Sequence, residues 1–404
     1  MRGIEMPERT EDFTADPVEL FFDLGYVLAF SQLVGYLVHH PDWAGAGRVA
    51  LLFWLMWLPW SQFTWSANVV SGNGRTVRLL FLVGTVTSVP MAASVSTAFE
   101  DGGPVFAVCL AVIYGLAFAT MLLAVEEGSA VRRSITSFGA VSGLSLAIVI
   151  AGSFVDGDAR VALWIVAIVI GNLGMVAAGG SEWIVRFGHF AERHALIVII
   201  ALGEVIVAIG VPVIATLEDT EGLPASTVVV LAAAGAFAAM LWWAYFDRPG
   251  PAIEHRAETV TGAIERGRFA RDVYTAAHAP VVGGIILAAA AIEEIALHPD
   301  DHVHTAFRVM LAGGLGLFAF GIAAGVWRAF HVVARERLVA AVVLAVVLAV
   351  GGSLSGIVLL LVVDAIILAT LVVEHLRIEG PQLTATDGDG PDAVGPAGDP
   401  APAP

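Results

Sequence analysis

Lysine is absent from the 404 residues and cysteine occurs once. Without lysine there is no Schiff-base amine for a retinal or pyridoxal group, and no phosphate-binding loop that ends in Lys. The single Cys109 lies in an apolar run, which excludes an intrachain disulfide and any cysteine-based metal cluster. Neither H-E-x-x-H nor G-x-S-x-G occurs, so the expectation is a protein that is not an enzyme and carries no cofactor or resident metal. Basic charge is also scarce: 20 Arg face 37 acidic residues, a net charge of −17, which argues against a nucleic-acid partner. The arginine bias and the excess of Ala, Gly and Val leave two sources open, a GC-rich genome or a salt-loving host. Charged residues of all kinds make up only 14% of the chain, against 58% hydrophobic, and mean hydropathy is +0.83. That is too apolar for a soluble fold, and the expected partner is a lipid bilayer.

Long apolar runs are what the chain has instead. A spanning helix needs about 20 largely apolar residues. Twelve segments qualify, near 17–38, 46–67, 76–98, 104–125, 134–155, 160–180, 194–215, 225–246, 272–296, 304–326, 338–351 and 353–376. The fold class is therefore an all-α, polytopic helical membrane protein. The last two segments form one apolar run with Gly351 and Gly352 near its middle. One helix from Leu338 to Val373 would be about 54 Å long, well beyond a hydrocarbon core of roughly 30 Å, so two helices joined by a turn are expected.

Residues 1–16 form an acidic tail without the apolar core of a cleavable signal peptide, so the first spanning helix is expected to target the chain and to remain in it. Residues 377–404 are rich in Pro, Gly and Asp and cannot bury a core, which predicts a disordered acidic tail. With the N-terminus inside, all arginines but Arg48, Arg160 and Arg308 fall on the inner side. This asymmetry places the protein in the cytoplasmic membrane of the cell, with both termini cytoplasmic. The outer loops are acidic, near Glu100, Asp156, Glu218 and in the His298 to His304 loop, whose His298, Asp300, Asp301, His302 and His304 suit either a divalent ion or a solvated turn.

Polar residues inside the spans mark candidate sites, because a charge at the centre of a membrane helix costs roughly 2.5–3.5 kcal/mol and is kept for a partner or a task. The stretch from His189 to Gly210 places Glu192, Arg193 and His194 ahead of an apolar run broken by Glu204. Arg193 and Glu204 are eleven residues apart, within about 20° on one helix face. In the first span Glu19 and Asp23 share a face, suited to a proton or cation relay, although Glu19 also fits a first-turn acid favoured by the helix dipole. In the ninth span Arg271, Tyr274 and His278 form one stripe, and Pro280 leaves the carbonyl near Ala276 without its usual donor. This reads as an ion-handling kink or as a packing kink. Asp247 ends the eighth span, where an Arg of the basic loop can pair with it, and Asp364 stands alone in the twelfth.

The halves 17–180 and 186–376 echo one another. Ser31 lies twelve residues after Glu19 and Glu204 twelve after Glu192; aromatic bands end the second span (Trp57, Trp60, Trp65) and the eighth (Trp242, Trp243, Tyr245); Pro90 follows Arg78 by the same distance as Pro280 follows Arg268. Two six-helix pseudo-repeats of parallel topology would give this pattern, and so would chance similarity among apolar helices.

Four motifs, E-L-F-F-D-L at Glu19, H-F-A-E-R-H-A-L-I-V-I-I-A-L-G-E at His189, L-W-W-A-Y-F-D at Leu241 and Y-T-x-x-H-x-P at Tyr274, resemble the bacterial low temperature requirement A family over about residues 17–297. The resemblance implies a multi-pass membrane protein needed for growth in the cold, and brings no ligand with it. Carried over residue by residue, it singles out Glu19, Asp23, Glu192, Arg193, His194, Glu204, Asp247, Tyr274, His278 and Pro280. Gly25 departs from the family's larger residue after the first Asp-Leu, a change that either widens a cavity or tightens packing. The reading expected from all of this is a secondary transporter or ion permease for a small solute or ion, with Asp23, Glu204 and His278 in one buried, proton-coupled site. The alternatives are a non-transporting membrane sensor or assembly protein and, less favoured, a membrane enzyme acting on lipid.

Overall fold

Short polar caps and prolines set where the helices of this protein begin. Asp16 opens the first helix with a capping box: its carboxylate accepts from the Val18 amide at 3.0 Å, while the Glu19 carboxylate reaches back to the Asp16 amide at 3.2 Å. Asp42 and Ser129 cap later helices in the same way, through the amides of Gly45 and Arg132. The computed structural model describes residues 15–70, 74–217 and 224–379. The acidic stretch at Glu218, most of the expected N-terminal tail, and the tail from 380 onward lie outside the described residues.

The helices are α1 (Pro17–His39), α2 (Trp43–Ala67), α3 (Arg75–Ala93), α4 (Gly103–Ala124), α5 (Ala130–Gly152), α6 (Asp158–Ala178), α7 (Phe187–Leu217), α8 (Ala225–Phe246), α9 (Pro249–Glu258), α10 (Ala263–Phe269), α11 (Ala277–Leu297), α12 (Thr305–Phe330), α13 (Arg335–Val350) and α14 (Gly356–Glu379). No strands occur among the described residues, and eleven helical stretches there are long and apolar enough to cross a membrane. The remaining expected span, α2, is 25 residues long, but its tryptophans, Pro59, Ser61 and Gln62 leave it less apolar than the others.

Three departures from the sequence expectation matter for the site. Helix α7 begins at Phe187, a full turn and more before the expected 194, so His189 to His194 lie within the helix rather than ahead of it. The pair Pro249 and Pro251 starts a separate helix, α9, which buries Pro249, Ile253 and Ala257 along one stripe. The ninth span also starts early, at Ala263, and residues Ala270–Ala276 between α10 and α11 are a π-helix. The double glycine divides the final run as expected: α13 stops at Val350, a 3-10 turn covers Gly351–Ser353, and α14 follows.

Helices α1, α7 and α11 pack against one another at the centre, and α2 touches both α1 and α11. Helix α1 lies along α3 in the first half as α7 lies along α11 in the second, and α3 meets α4 as α11 meets α12. Glycine permits the closest of these contacts. A Cβ at Gly284 would stand 2.5 Å from the Gly314 carbonyl oxygen, so α11 and α12 meet backbone to backbone. A Cβ at Gly25 would stand 1.7 Å from Ser88 Oγ, so Gly25 tightens the α1–α3 contact.

Apart from the buried Arg193, most of the described arginines gather at one end of the bundle. There Arg337 pairs with Glu374 at 2.7 Å, and Arg328 with Asp272 at 2.9 Å. The three at the other end are tied down by oxygen atoms: Arg48 donates to the Tyr36 hydroxyl, Arg160 to the carbonyls of Ala98, Glu100 and Val155, and Arg308 to those of Leu348 and Ala349.

Candidate functional site: a buried polar column

The residues of the α7 motif meet the acids of α1 in the interior. Arg193 is fully buried and donates from Nη2 to Asp23 Oδ1 at 2.8 Å; its Nε lies 3.5 Å from Glu19 Oε2. Asp23 also accepts from Trp60 Nε1 of α2 at 2.8 Å, and the Arg193 guanidinium sits 5.8 Å from the centre of the Trp60 ring. His189 Nε2 is 2.8 Å from Glu19 Oε2. The proton on that histidine can be placed from the backbone outward. The Arg186 amide donates to Asn68 Oδ1, so Asn68 Nδ2 donates to the Thr64 carbonyl and to His189 Nδ1, which leaves Nε2–H to donate to Glu19. Glu19 therefore serves both readings given above: it completes the capping box of α1 and it is a buried partner of His189 and Arg193. Glu192, one turn along α7, accepts from the Ala15 amide at 2.6 Å.

An aromatic ring system continues the column toward α11. The His194 ring lies 5.1 Å from Trp60, 5.3 Å from Tyr274 and 5.0 Å from His278. Its Nδ1 donates to the Phe190 carbonyl at 2.8 Å. The freed carbonyls of the π-helix are used rather than left open. His278 Nδ1 donates to the Val273 carbonyl, five residues back, at 2.9 Å, and Trp57 Nε1 donates to the Thr275 carbonyl at 2.9 Å. His278 Nε2 then accepts from the Tyr245 hydroxyl at 2.7 Å. Pro280 thus sits in α11 directly after a π-turn whose width serves a histidine and a tryptophan.

Five polar atoms of this column are buried and have no hydrogen-bond partner among the described residues: Asp23 Oδ2, Arg193 Nε and Nη1, His194 Nε2 and Tyr274 Oη. They belong to α1, α7 and the π-helix, on residues connected by the ion pair and ring contacts just described.

Glu204 lies apart from them. It is 2% exposed and accepts from Ser31 Oγ at 2.6 Å, eight residues beyond Asp23 on α1 and hence about 12 Å further along that helix. The three residues expected in one site are thus divided, with Asp23 and His278 connected through Trp60 and His194, and Glu204 on a second level, within electrostatic range of Glu293. Ser31 and Glu204, twelve residues after Glu19 and Glu192 respectively, bond to each other across the α1–α7 contact. Asp247 pairs with the adjacent Arg248 at 3.2 Å at the arginine-rich end, away from the column. Arg271 turns outward to Asp272 at 2.6 Å and does not share the surroundings of Tyr274 and His278. Asp364 is 8% exposed, and its Oδ1 has no hydrogen-bond partner among the described residues. In the loop after α11, His298 faces Glu294 at 3.4 Å, His302 bonds the Leu354 carbonyl and His304 caps α12. No group of three His, Cys, Asp or Glu side chains comes together as a metal site among the described residues.

Sequence reasoning placed Trp60 and Tyr245 only in aromatic bands and did not single out Asn68. Asn68 had a signal, an amide at the end of a membrane helix directly after an aromatic band; the indoles had none, since a belt tryptophan and a buried donor look alike in sequence.

Comparison with known proteins agrees with the motifs. The family model of the bacterial low temperature requirement A protein matches residues 14–373. An uncharacterized protein of Rhizobium meliloti (strain 1021) is 30% identical over 325 residues, 78% of this chain and 77% of the relative. No solved structure matches.

Proposed function

The chain belongs to the bacterial low temperature requirement A family of membrane proteins, and we propose from its buried polar column that it is a secondary transporter or ion permease of the cytoplasmic membrane, coupled to protons. One observation carries this reading: the five buried polar atoms without a hydrogen-bond partner among the described residues belong to residues linked by ion-pair and ring contacts, and they include both members of an ion pair. Unsatisfied groups in hydrocarbon cost several kcal/mol each, roughly, and ionisable ones at depth mark paths for ions or protons. The column also holds two carboxylates, Glu19 and Asp23, against one guanidinium, an arrangement with room for one more positive charge. In this scheme Asp23 and Glu204 take up and release a proton or cation, Arg193 holds the resting charge of Asp23, and His194 links the pair to Tyr274 and His278. The π-helix ahead of Pro280 is the hinge that alternates access, and the two halves of the chain are the moving bodies. The arginine-rich end, with both termini, faces the cytoplasm, and the protein carries out no covalent chemistry.

The test is proton flux into proteoliposomes of purified protein under an imposed pH gradient, with cations and small solutes supplied in turn. Solute-dependent flux that falls at least tenfold in Asp23→Asn and in Glu204→Gln, with both variants folded, is the expected result. Flux equal to that of empty liposomes under every condition would favour a non-transporting sensor or assembly protein. The closed chain from Glu19 through His189 and Asn68 to the Arg186 amide is the observation on that side, since it needs no ligand to be complete.

A further inference from the structure

At the arginine-rich end a cavity of about 100 Å³ opens between α7, α8, α9 and the π-helix. Its walls include Tyr245, Phe246, Tyr274, His278 and Glu254, with Ala191 and Ala195 as a small-residue wall on α7. The volume is that of roughly three waters at 30 Å³ each and far below the 300 Å³ or so of a drug-sized site. Tyr274 is 2% exposed, lines this cavity, and its hydroxyl has no hydrogen-bond partner among the described residues. The charge of Glu254 reaches the hydroxyls of both Tyr245 and Tyr274, and Glu192 and Glu258 lie within electrostatic range of Glu254. No arginine lines the cavity among the described residues, and both nitrogens of His278 are engaged, by the Val273 carbonyl and the Tyr245 hydroxyl. The chamber is therefore small, negative at its rim and aromatic inside.

We propose that this cavity binds a small organic ammonium cation, of the size of methylammonium, and that it is the substrate entrance to the column. Three aromatic side chains, Tyr245, Phe246 and Tyr274, line the cavity, and an aromatic lining suits an ammonium group that carries a methyl better than a strongly hydrated metal ion. Glu254 supplies the counter-charge, and the Tyr274 hydroxyl oxygen accepts a hydrogen bond from the ammonium N–H. Tyr274 and His278 are also the last members of the column that leads through His194 to Asp23, so an occupant here lies next to the groups that handle the charge. The binding chemistry rests on the cavity alone; its part in transport rests on the permease reading.

The test separates the two. Methylammonium binding is measured by calorimetry on the full chain in detergent, where no flux is involved, for the wild type and for Tyr274→Phe, Glu254→Gln and Phe246→Leu. Tyr274→Phe removes only one hydroxyl, so it keeps the test usable if a charge variant fails to fold. Saturable binding to the wild type, weakened about tenfold or more in Tyr274→Phe and in Glu254→Gln, is the expected outcome. No saturable binding, or binding unchanged in Tyr274→Phe and Phe246→Leu, overturns the proposal. So does displacement of methylammonium by sodium or potassium at equal concentration, which would make the cavity an inorganic cation site. Binding without flux would leave the cavity assigned and remove the permease reading; proton flux without methylammonium binding would do the reverse.

Discussion

Arg193 stands between two carboxylates with no exposed surface, and its energetics follow from that position. A buried ion pair adds little net stability compared with an apolar pair of similar size, but removing one member leaves a charge that the interior cannot solvate. Arg193→Met is accordingly expected to cost about 3–5 kcal/mol. The double variant Arg193→Met with Asp23→Leu should recover a large part of that loss, because it also removes the carboxylate left behind. Thermal unfolding in detergent measures both, and equal losses in the two would show that Asp23 does not depend on Arg193 for its charge. The sequence already put Glu19 and Asp23 on one face, and the cost of a charge at depth made Arg193 a candidate. That Asp23 rather than Glu204 is the nearest partner of Arg193 was not legible, since an α-helix fixes which residues share a face but not the height at which a neighbour meets them. Trp60 shows the same limit from the other side: nothing in the sequence separates the indole that donates to Asp23 from those that only face lipid.

Helices meet closely here where glycine allows it, and the α1–α3 contact is the clearest case. With a Cβ at position 25 only 1.7 Å from Ser88 Oγ and 2.6 Å from Ser88 Cβ, Gly25→Ala must push α1 and α3 apart, because turning the Ser88 hydroxyl away leaves its Cβ in place. Overpacking of this kind costs about 1–3 kcal/mol, and the expected result is a matching loss of thermal stability. Ser88→Gly in the same chain should restore most of it, whereas a loss that persists in the double variant would place the strain elsewhere. The sequence left Gly25 open between a widened cavity and tighter packing, and only the facing serine decides it. Span positions were legible to within a turn for most helices because length and hydropathy set them. The early starts of α7 and of α10 were not, because their opening turns carry polar or charged residues, His189 and Glu192 or Glu265 and Arg266, that hydropathy alone reads as loop. In the structure side chains of this kind are held by specific partners: His189 by Glu19, Glu265 by Arg328, and Arg266 by the Val185 carbonyl. The π-helix was half legible. Proline at 280 predicts a missing donor, but a π-turn forms here because Trp57 and His278 supply donors for the carbonyls of Thr275 and Val273, contacts that come in part from another helix.

At the scale of the whole molecule the charge distribution predicts an orientation that can be measured. The arginine-rich end keeps most of its guanidinium groups at the surface or paired with acids, and it is the end that resists translocation across the membrane. At the opposite end each of the three arginines is engaged by carbonyl or hydroxyl oxygens at helix ends, where the dipole favours a cation, so none projects as a free charge. A protein built this way should lie with the Arg-rich end inside. The native Cys109 makes the experiment simple, because replacing it, Cys109→Ala, leaves a chain without cysteine. On that background Glu127→Cys, in the turn between α4 and α5, reports the arginine-rich end, and Asp300→Cys, in the loop before α12, reports the other; both positions are exposed. With a membrane-impermeant maleimide, intact spheroplasts should label Asp300→Cys and leave Glu127→Cys unlabelled until the membrane is broken. Labelling of Glu127→Cys alone would invert the protein, and the acidic cavity near Glu254 would then face outward and admit its cation from the opposite side. Labelling of both in intact cells would mean that α5 to α11 do not cross the membrane an odd number of times between the two positions, which would undo the pairing of helix ends on which the column depends.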